Sequence, residues 1–310
     1  MTSSIPTIEP ELVLAHKFPE SFFDYTERDV ALYALGVGAC GANAVDEEEL
    51  KYVYHQYGQS YIQVLPTFAV LFPFGLTFNL MEVPGLYFEP SLLLHGQQYL
   101  EVYKPFPTNC HIQNRAHIAG LHDKGKATIL EIESTSINKE TGEVLCRNRN
   151  TVYLRGTGGF SKTSDLYSYS SPSLMPKVTP VVIPKGTPFA VYEDKTQQSQ
   201  ALLYRLSGDY NPLHSDPMVA NIAGFSRPIL HGLCTLGYAV RAIIKCCCNG
   251  KPALVKSVLG RFILHVYPGE TLITEMWKTD SRIIYQTRVK ERQKVVLSGA
   301  VVVNHLSSSL

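Results

Sequence analysis

The sequence predicts an α+β fold made of two tandem units, each with a long central helix packed on an antiparallel sheet. In both halves a helical pattern is followed by a run of strand-like segments rich in Val, Ile, Thr and Tyr. A stretch rich in Ser, Gly and Pro without helical period separates the halves. We therefore expect an N-terminal unit over residues 1–160, a linker over 161–187 and a C-terminal unit over 188–310.

The same order of elements recurs in the two units, which indicates an internal repeat. Thr26 and Thr196 are placed to cap helices that end at Gly36 and Gly208. The repeat therefore aligns "YALGVGACGAN" with "YRLSGDYNPLH".

Further along each half, "SLLLHGQQYL" matches "RPILHGLCTL", so that His95 and Gly96 correspond to His231 and Gly232. Both His-Gly pairs are expected to precede a helix. The strand-like runs that follow include "GKATILEIESTSI" in the first half and "SVLGRFILHVY" in the second. One helix and then a meander of strands in each half favours the α+β arrangement.

Composition favours a small-molecule partner over nucleic acid or a membrane surface. The 310 residues include 28 basic and 27 acidic side chains, a formal net charge of +1, and have no dense basic run. The seven cysteines include three consecutive ones, Cys246 to Cys248, which suit reduced thiols better than disulfides. Zinc-ligand spacing and a secretory leader are both lacking, so we expect no metal site and no export.

The apolar stretch from Tyr61 to Phe88 is long enough to resemble a membrane span. Pro66, Pro73 and Pro84 interrupt it, together with Asn79 and Glu82. We expect a buried or pocket-lining segment and no membrane span.

The segment "SGDYNPLH" concentrates reactive side chains on one turn-rich loop. Gly208 can adopt positive φ and Pro212 fixes φ, so the loop can hold one shape. Asp209 and His214 could then act as an acid and a base on one proton or water, with Asn211 holding that water. Asp and Asn are also common turn residues, and this purely structural interpretation stays open for each residue alone. The matching positions of the first half hold Gly38 and Asn43, so only one half can carry this chemistry.

The second reactive element is "ILHGLCTLGYAVRAII", which predicts a helix beginning at Gly232. A glycine at a helix N-terminus presents an accessible backbone N–H at the positive end of the helix dipole. It could donate to a carbonyl oxygen that becomes anionic. Close helix–sheet packing is the alternative reason for a glycine at this position.

Together, "YRLSGDYNPLH" and "RPILHGL" resemble the signature of the (R)-specific 2-enoyl-CoA hydratases, the MaoC-like group of hot-dog proteins. The two-half layout resembles the eukaryotic double hot-dog form with a degenerate N-terminal half. The resemblance implies that water adds across the double bond of trans-2-enoyl-CoA to give (3R)-3-hydroxyacyl-CoA in fatty-acid β-oxidation. Asp209 and His214 are then the catalytic pair, Asn211 holds the water, and the Gly232 N–H binds the thioester oxygen.

The resemblance also implies where coenzyme A binds. The implied substrate-binding residues are His95, Gly96, Lys124, Tyr210, Phe262 and Arg261. The Tyr61–Phe88 stretch would contribute to a tunnel for the acyl chain. We expect an acyl-CoA thioester as substrate, no separate cofactor and, by analogy with the family, a homodimer.

The last three residues, Ser308, Ser309 and Leu310, resemble the peroxisomal Ser-Lys-Leu address, with Ser in place of the basic residue. For an acyl-CoA enzyme this ending predicts the peroxisome.

Two other functions remain open from the sequence. One is a hot-dog thioesterase, which would release free CoA, and the other is a non-catalytic acyl-CoA-binding protein. The second would have no use for Asp209 and His214.

Overall fold

The computed structural model describes residues 8–55, 61–173, 175–176, 179–279 and 282–304, with only the backbone described at 76–78. Within these ranges no helix combines the length and the apolar character that crossing a membrane requires. The predicted targeting residues Ser308, Ser309 and Leu310 lie outside the described residues.

The described part of the first half contains six strands, three α-helices and three 3₁₀ helices. Its strands are β1 Ser21–Tyr25, β2 Leu93–Val102, β3 Cys110–Asp123, β4 Ala127–Asn138, β5 Val144–Arg155 and β6 Ser168–Ser170. Its α-helices are α1 Pro10–Ala15, α2 Glu27–Gly36 and α3 Glu47–Leu50, and its 3₁₀ helices are Pro66–Leu71, Phe74–Glu82 and Pro90–Leu92.

The described part of the second half has five strands, three α-helices and two 3₁₀ helices. The strands are β7 Ala190–Lys195, β8 Val255–Phe262, β9 Thr271–Lys278, β10 Ile283–Val289 and β11 Lys294–Val303. The helices are α4 Gln200–Arg205, α5 Pro217–Ile222, α6 Gly232–Cys247 and the 3₁₀ helices Pro212–His214 and Pro252–Leu254.

The eleven described strands belong to one antiparallel sheet in the order β1-β3-β4-β5-β2-β8-β11-β10-β9-β7, with β6 paired to β3. From one edge of the sheet the strands of the first half follow the order β1-β3-β4-β5-β2, and from the other edge those of the second half follow the equivalent order β7-β9-β10-β11-β8. The halves join where β2 pairs with β8. This arrangement confirms the α+β prediction of two tandem units.

The long central helix is present in the second unit but not in the first. The 16 residues of α6 pack on the sheet, and α6 is buried from Leu233 to Ile244. At the matching place in the first half, the chain forms the 3₁₀ helix Pro66–Leu71, which is buried throughout, and then Phe74–Glu82. The prediction of a long helix in each unit was therefore wrong for the first unit, because prolines interrupt this segment and shorten each helical run.

The buried 3₁₀ helix Pro66–Leu71 confirms that this part of the apolar stretch is a core segment. Tyr61, Met81 and Tyr87 of the same stretch are exposed, and its role in an acyl tunnel stays a prediction. Phe68 in this 3₁₀ helix and Phe72 directly after it contact the Tyr25 ring, with centroids 5.0 and 5.5 Å away. The segment fills the space that a central helix would occupy.

The two predicted helix caps had different outcomes. Thr26 and Asp29 form a capping box at the start of α2, in which the Thr26 N–H donates to Asp29 Oδ2 at 2.9 Å. Thr196 does not cap α4, which begins at Gln200 after Ser199. The Thr196 hydroxyl instead donates to the Glu270 carbonyl oxygen at 2.8 Å, because the preceding strand β7 brings it to that loop.

The segment predicted as a linker is attached to the N-terminal sheet along part of its length. Strand β6 pairs with β3, and the Asp123 carboxylate accepts hydrogen bonds from the N–H groups of Gly159 and Ser161 at 2.8 and 2.9 Å. The domain boundaries stay a prediction.

A buried ion network joins the two halves. Arg241 on α6 pairs with Glu49 from the first half and Asp194 from the second, and its Nε donates to the Val37 carbonyl oxygen at 3.0 Å. All three charged side chains are buried. This network fixes α6 relative to the loop after α2.

Candidate functional site

The loop after α4 holds one shape through its own hydrogen bonds. Gly208 adopts φ +123°, as expected for the residue that lets the chain leave the helix. The Asn211 N–H donates to Asp209 Oδ1 at 3.2 Å, and the Leu213 N–H donates to Asn211 Oδ1 at 3.0 Å. Pro212 then begins the 3₁₀ turn that ends at His214. The turn chemistry of the loop therefore positions its acid and its imidazole.

Burial and one hydrogen bond set the state of His214. Its Nδ1 lies 2.8 Å from the carbonyl oxygen of Ile229, so the proton of a neutral ring is on Nδ1 and Nε2 has a free lone pair. Burial lowers the pKa of His214 to about 4, with the hydrogen bond to Ile229 opposing that shift. The ring is thus a neutral base at pH 7.

Burial has the opposite effect on Asp209, whose side chain is also inside the protein. It raises the pKa of Asp209 from its ordinary 3.8 to about 6, and the Asn211 N–H partly offsets this rise. The carboxyl group can therefore exchange a proton close to neutral pH, as acid–base catalysis requires.

A second imidazole, which we did not include among the predicted site residues, lies between these groups. The His231 ring lies over the His214 ring with centroids 3.8 Å apart, and the Tyr204 ring also contacts His231, with centroids 4.8 Å apart. His231 Nε2 is 3.2 Å from the main-chain oxygen of Asp209 and 3.9 Å from Asp209 Oδ2. The only sequence signal for this role was its position directly before Gly232.

Burial, and then the neighbouring His214, lower the pKa of His231 to about 2. The ring is neutral and can donate from Nε2 to the Asp209 carbonyl. It links both ends of the loop from Asp209 to His214 to the start of α6.

Gly232 is the first residue of α6, as predicted. The N–H of a first helical residue has no partner within the helix, and it lies at the positive end of the dipole. A Cβ at Gly232 would lie 3.1 Å from the Phe262 ring, so the glycine also permits that ring to approach. The structure therefore supports the packing interpretation of this glycine, and its role as a donor to a substrate oxygen stays a prediction.

Phe262 in turn contacts a residue of the first half. Its ring centroid lies 4.9 Å from that of His95, whose pKa burial lowers to about 4. The structure thus brings together Asp209, His214, Gly232, Phe262 and His95.

His95 and Gly96 do not precede a helix, contrary to the prediction from the repeat. They lie in strand β2, where the pairing with β5 passes from His95 opposite Val152 to Gln97 opposite Thr151, so that Gly96 is a bulge. The Tyr153 ring covers the face of Gly96, where a Cβ would clash with it.

The other predicted residues lie further out. Tyr210 is exposed beneath the Arg205 guanidinium, which is 4.7 Å from its ring, and Arg261 is exposed on β8 opposite Gln97. Asn211 is exposed, and its side-chain oxygen is already used in the turn. Lys124 lies in the exposed turn after β3, three strands from β2 in the sheet order. Their roles toward substrate stay predictions.

A small cavity of about 160 Å³ opens to solvent beside the catalytic loop. His214 and Ser215 line it together with Ala201, Leu202 and Arg227. The His214 side of the loop therefore borders this cavity.

Asp209, His214 and His231 are also the group of metal-type ligands found in the described part of the chain, with their atoms within 4.8 Å of one another. His214 Nδ1 and His231 Nε2 each face a main-chain carbonyl oxygen, which leaves the other nitrogen of each ring outside these hydrogen bonds. Such rings suit proton transfer and ligation alike, so the expectation of no metal site stays a prediction.

Family models match both halves of the chain. Residues 23–156 match the MFE-2 hydratase 2 N-terminal domain, and residues 181–300 match the MaoC like domain.

Curated relatives cover the chain from end to end. It is 58% identical over 311 residues, with full coverage of both chains, to a protein from Arabidopsis thaliana named "Enoyl-CoA hydratase 2, peroxisomal". It is 42% identical to the "Peroxisomal multifunctional enzyme type 2" of Mus musculus, over 93% of this chain and 38% of that protein.

Solved structures agree with these relatives. A MaoC-like dehydratase from Phytophthora capsici is 30% identical with a TM-score of 0.81, covering 96% of this chain and 99% of that one. The full-length multifunctional enzyme type 2 from Drosophila melanogaster is 35% identical with a TM-score of 0.76, over 92% of this chain and 48% of that one. The chain therefore belongs to the MaoC-like hydratase 2 family and has the double hot-dog fold.

Proposed function

We propose that the chain is a peroxisomal (R)-specific 2-enoyl-CoA hydratase of fatty-acid β-oxidation, with Asp209 and His214 as its acid–base pair. It reversibly converts trans-2-enoyl-CoA and water to (3R)-3-hydroxyacyl-CoA. The observation that carries the assignment of residues is the convergence of a buried carboxyl, a neutral imidazole and a helix-start N–H at one place.

In the hydration step, the pair takes a proton from water while the water oxygen forms a bond to C3. Electron density moves through C2 to the thioester oxygen, which becomes an enolate, and the Gly232 N–H donates to that oxygen. A proton delivered to C2 then restores the thioester carbonyl. Atoms balance, because the hydroxyl and one hydrogen of a single water are added across the double bond.

The contribution of each catalytic group to the rate has a typical order of magnitude. One fixed donor to a developing oxyanion contributes roughly 2.7–4 kcal/mol. Positioned acid–base groups contribute a further factor of about 10²–10⁴. Burial excludes bulk water from Asp209 and His214, so these interactions are stronger than they would be at a surface.

The substrate is a CoA thioester. We propose that His95, Gly96 and Phe262 line its path next to Gly232, and that Lys124, Arg261 and Tyr210 contact the CoA portion from the surface. The exposure of these three residues supports this outer position. We further propose a homodimer, which sedimentation at several protein concentrations would test.

The deciding experiment incubates the protein with crotonyl-CoA and, separately, with saturated butyryl-CoA. We expect loss of the enoyl group from crotonyl-CoA, a (3R)-hydroxy product by chiral analysis, and no free thiol from either substrate. Thiol release from butyryl-CoA would instead favour a thioesterase. Binding of both thioesters without conversion would indicate a non-catalytic acyl-CoA-binding protein.

A further inference from the structure

A cavity of about 800 Å³ lies at the end of the central strands away from the catalytic loop. Val102 at the end of β2 and Val255 at the start of β8 line it, whereas His95 and Phe262 lie at the opposite ends of these strands. Seven residues separate His95 from Val102, which is roughly 23 Å along a strand. The cavity is therefore separate from the site described above.

The position of this cavity follows from the internal symmetry of the fold. The pairing of β2 with β8 runs from Gln97 opposite Arg261 to Glu101 opposite Ser257, and its central pair is Tyr99 and Leu259. Because the two halves repeat one strand order on either side of this pair, a pseudo-twofold axis passes through it. The axis relates Phe262 to Val102 and His95 to Val255.

The bulges of the two central strands obey the same symmetry. In β2 the pairing with β5 skips Gly96, and in β8 the pairing with β11 passes from Ser257 opposite Val302 to Val255 opposite Val303, skipping Lys256. Gly96 and Lys256 are thus equivalent bulge residues. The cavity is the symmetry mate of the catalytic site, with a lysine at the bulge in place of the glycine.

The mate has lost the groups that perform the chemistry. Gly232, the first residue of α6, corresponds to Pro66, the first residue of the 3₁₀ helix in the first half. Proline has no N–H, so this helix start cannot donate to a thioester oxygen. Gly38 and Asn43 stand where the other half has Asp209 and His214.

What remains is a binding surface of defined chemistry. Its apolar wall includes Ile62, Val64 and Phe106, and three lysines, Lys104, Lys251 and Lys256, join the same lining. Lys104 pairs with Glu143, whereas no ion pair among the described residues joins Lys251 or Lys256 to a carboxylate. An apolar wall beside two such ammonium groups is complementary to a chain that ends in an anion.

We propose that this cavity is a second, non-catalytic site that binds an acyl chain with an anionic head group. The chain lies against Ile62, Val64 and Phe106, and the anion lies between Lys251 and Lys256. The duplicated fold thus retains both sites of the symmetric arrangement, one for turnover and one for binding alone.

The test titrates the full-length protein with three probes, dodecanoate, dodecanoyl-CoA and coenzyme A, by calorimetry. The variants are Lys251→Glu/Lys256→Glu, which reverses the charge, and Ala253→Trp, which fills the cavity from its exposed rim. The matched control Lys162→Glu/Lys195→Glu reverses two exposed lysines elsewhere. Thermal unfolding of each variant shows that it folds.

We expect the charge reversal and Ala253→Trp each to weaken dodecanoate binding at least tenfold, and the control to change it less than twofold. If the source is the thioester, dodecanoyl-CoA should bind at two sites per chain in the wild type and at one in the charge-reversed variant. Binding of either the free fatty acid or the acyl-CoA thioester in this cavity supports the proposal.

Three results would overturn the proposal. The first is unchanged affinity in both cavity variants, and the second is equal binding of coenzyme A alone at this site, since no acyl chain would then be needed. The third is one site per chain together with a raised KM for trans-2-dodecenoyl-CoA in Ala253→Trp. That would make the cavity the far end of the catalytic channel. Hydration of crotonyl-CoA is scored separately, so failure here leaves the proposed function untouched.

Discussion

The imidazole rings of His214 and His231 lie one over the other, with centroids 3.8 Å apart and planes tilted by 30°. His214 is held by the Ile229 carbonyl and His231 by the Asp209 carbonyl, at 2.8 and 3.2 Å. The stack therefore connects the His214 imidazole to the backbone of Asp209.

This relationship predicts a positioning role for His231. His231→Phe keeps a ring in the stack but removes the donor to Asp209, a hydrogen bond worth about 1 kcal/mol. We expect kcat to fall on the order of 10-fold with KM nearly unchanged. Tyr204→Phe, which keeps a ring in contact with His231, is the control and should retain kcat. Equal loss in both variants would mean that general packing is responsible.

The pair itself is tested by Asp209→Asn and His214→Gln. Each removes one proton carrier while keeping similar volume, so we expect kcat to fall about 10²–10⁴-fold for each. Because the two groups act on one water, the double variant should lose little more than either single one. Circular dichroism checks the fold, and turnover near wild type in either variant would contradict the assignment.

The pH profile separates the roles of the two groups. Asp209 titrates with a pKa of about 6 and His214 with a pKa of about 4, so ionised Asp209 and neutral His214 coexist above pH 6. We expect kcat/KM for crotonyl-CoA to fall as pH drops below about 6, since a protonated Asp209 cannot accept the proton of water. A fall as pH rises above 6 would instead make protonated Asp209 the donor to C2.

We expect ionised Asp209 to lower the free energy of unfolding above about pH 6, where the proposed catalytic form is present. Its pKa is raised in the folded protein, so its favourable contribution is present below about pH 4 and is lost as pH rises through 6. Asp209→Asn avoids this loss, and we expect it to be more stable than wild type by about 3 kcal/mol or less at pH 8 and equal below pH 4. Urea unfolding at both pH values measures this, with the exposed Asp165→Asn as control.

Gly232 allows the N–H and the side-chain space to be tested apart. Gly232→Pro removes the donor at a helix position where proline is tolerated, and Gly232→Ala adds a Cβ near Phe262 but keeps the N–H. We expect the proline variant to lose about 10²–10³-fold in kcat relative to the alanine variant. Equal activities would show that the glycine serves only packing.

The Arg241 network predicts a large structural effect. Arg241→Met removes the cation that pairs with the buried Asp194, and it leaves Glu49 only Lys245 at 3.9 Å and the Cys40 N–H, which together cost about 3–5 kcal/mol. Lys290→Met breaks the exposed pair with Glu193 and should cost at most about 1 kcal/mol. Denaturant unfolding measures both, and similar values would contradict a role for the network in joining the halves.

Local rules made the catalytic loop predictable. Gly208, Asp209, Asn211 and Pro212 each have a turn preference that acts over a few residues, and the structure uses all four in one rigid loop. The start of α6 at Gly232 and the capping box at Thr26 are local signals of the same kind.

Sequence similarity between the halves gave wrong predictions where residues distant in the chain determine the local structure. His95 and Gly96 match His231 and Gly232 in sequence, but they lie on a strand because β5 and β8 pair with that segment. Thr196 has the composition of a helix cap, but the carbonyl of Glu270, 74 residues away, takes its hydroxyl.

The sequence alone determined the family, the α+β class and the loop that carries the acid and the base, because these depend on residue types at short spacing. Tertiary structure alone decided that His231 stacks on His214, that burial shifts the pKa values of both catalytic groups, and that Lys256 is the mate of Gly96. Those relations arise from groups far apart in the chain, whose distances and desolvation exist only once the sheet has closed around its central pair of strands.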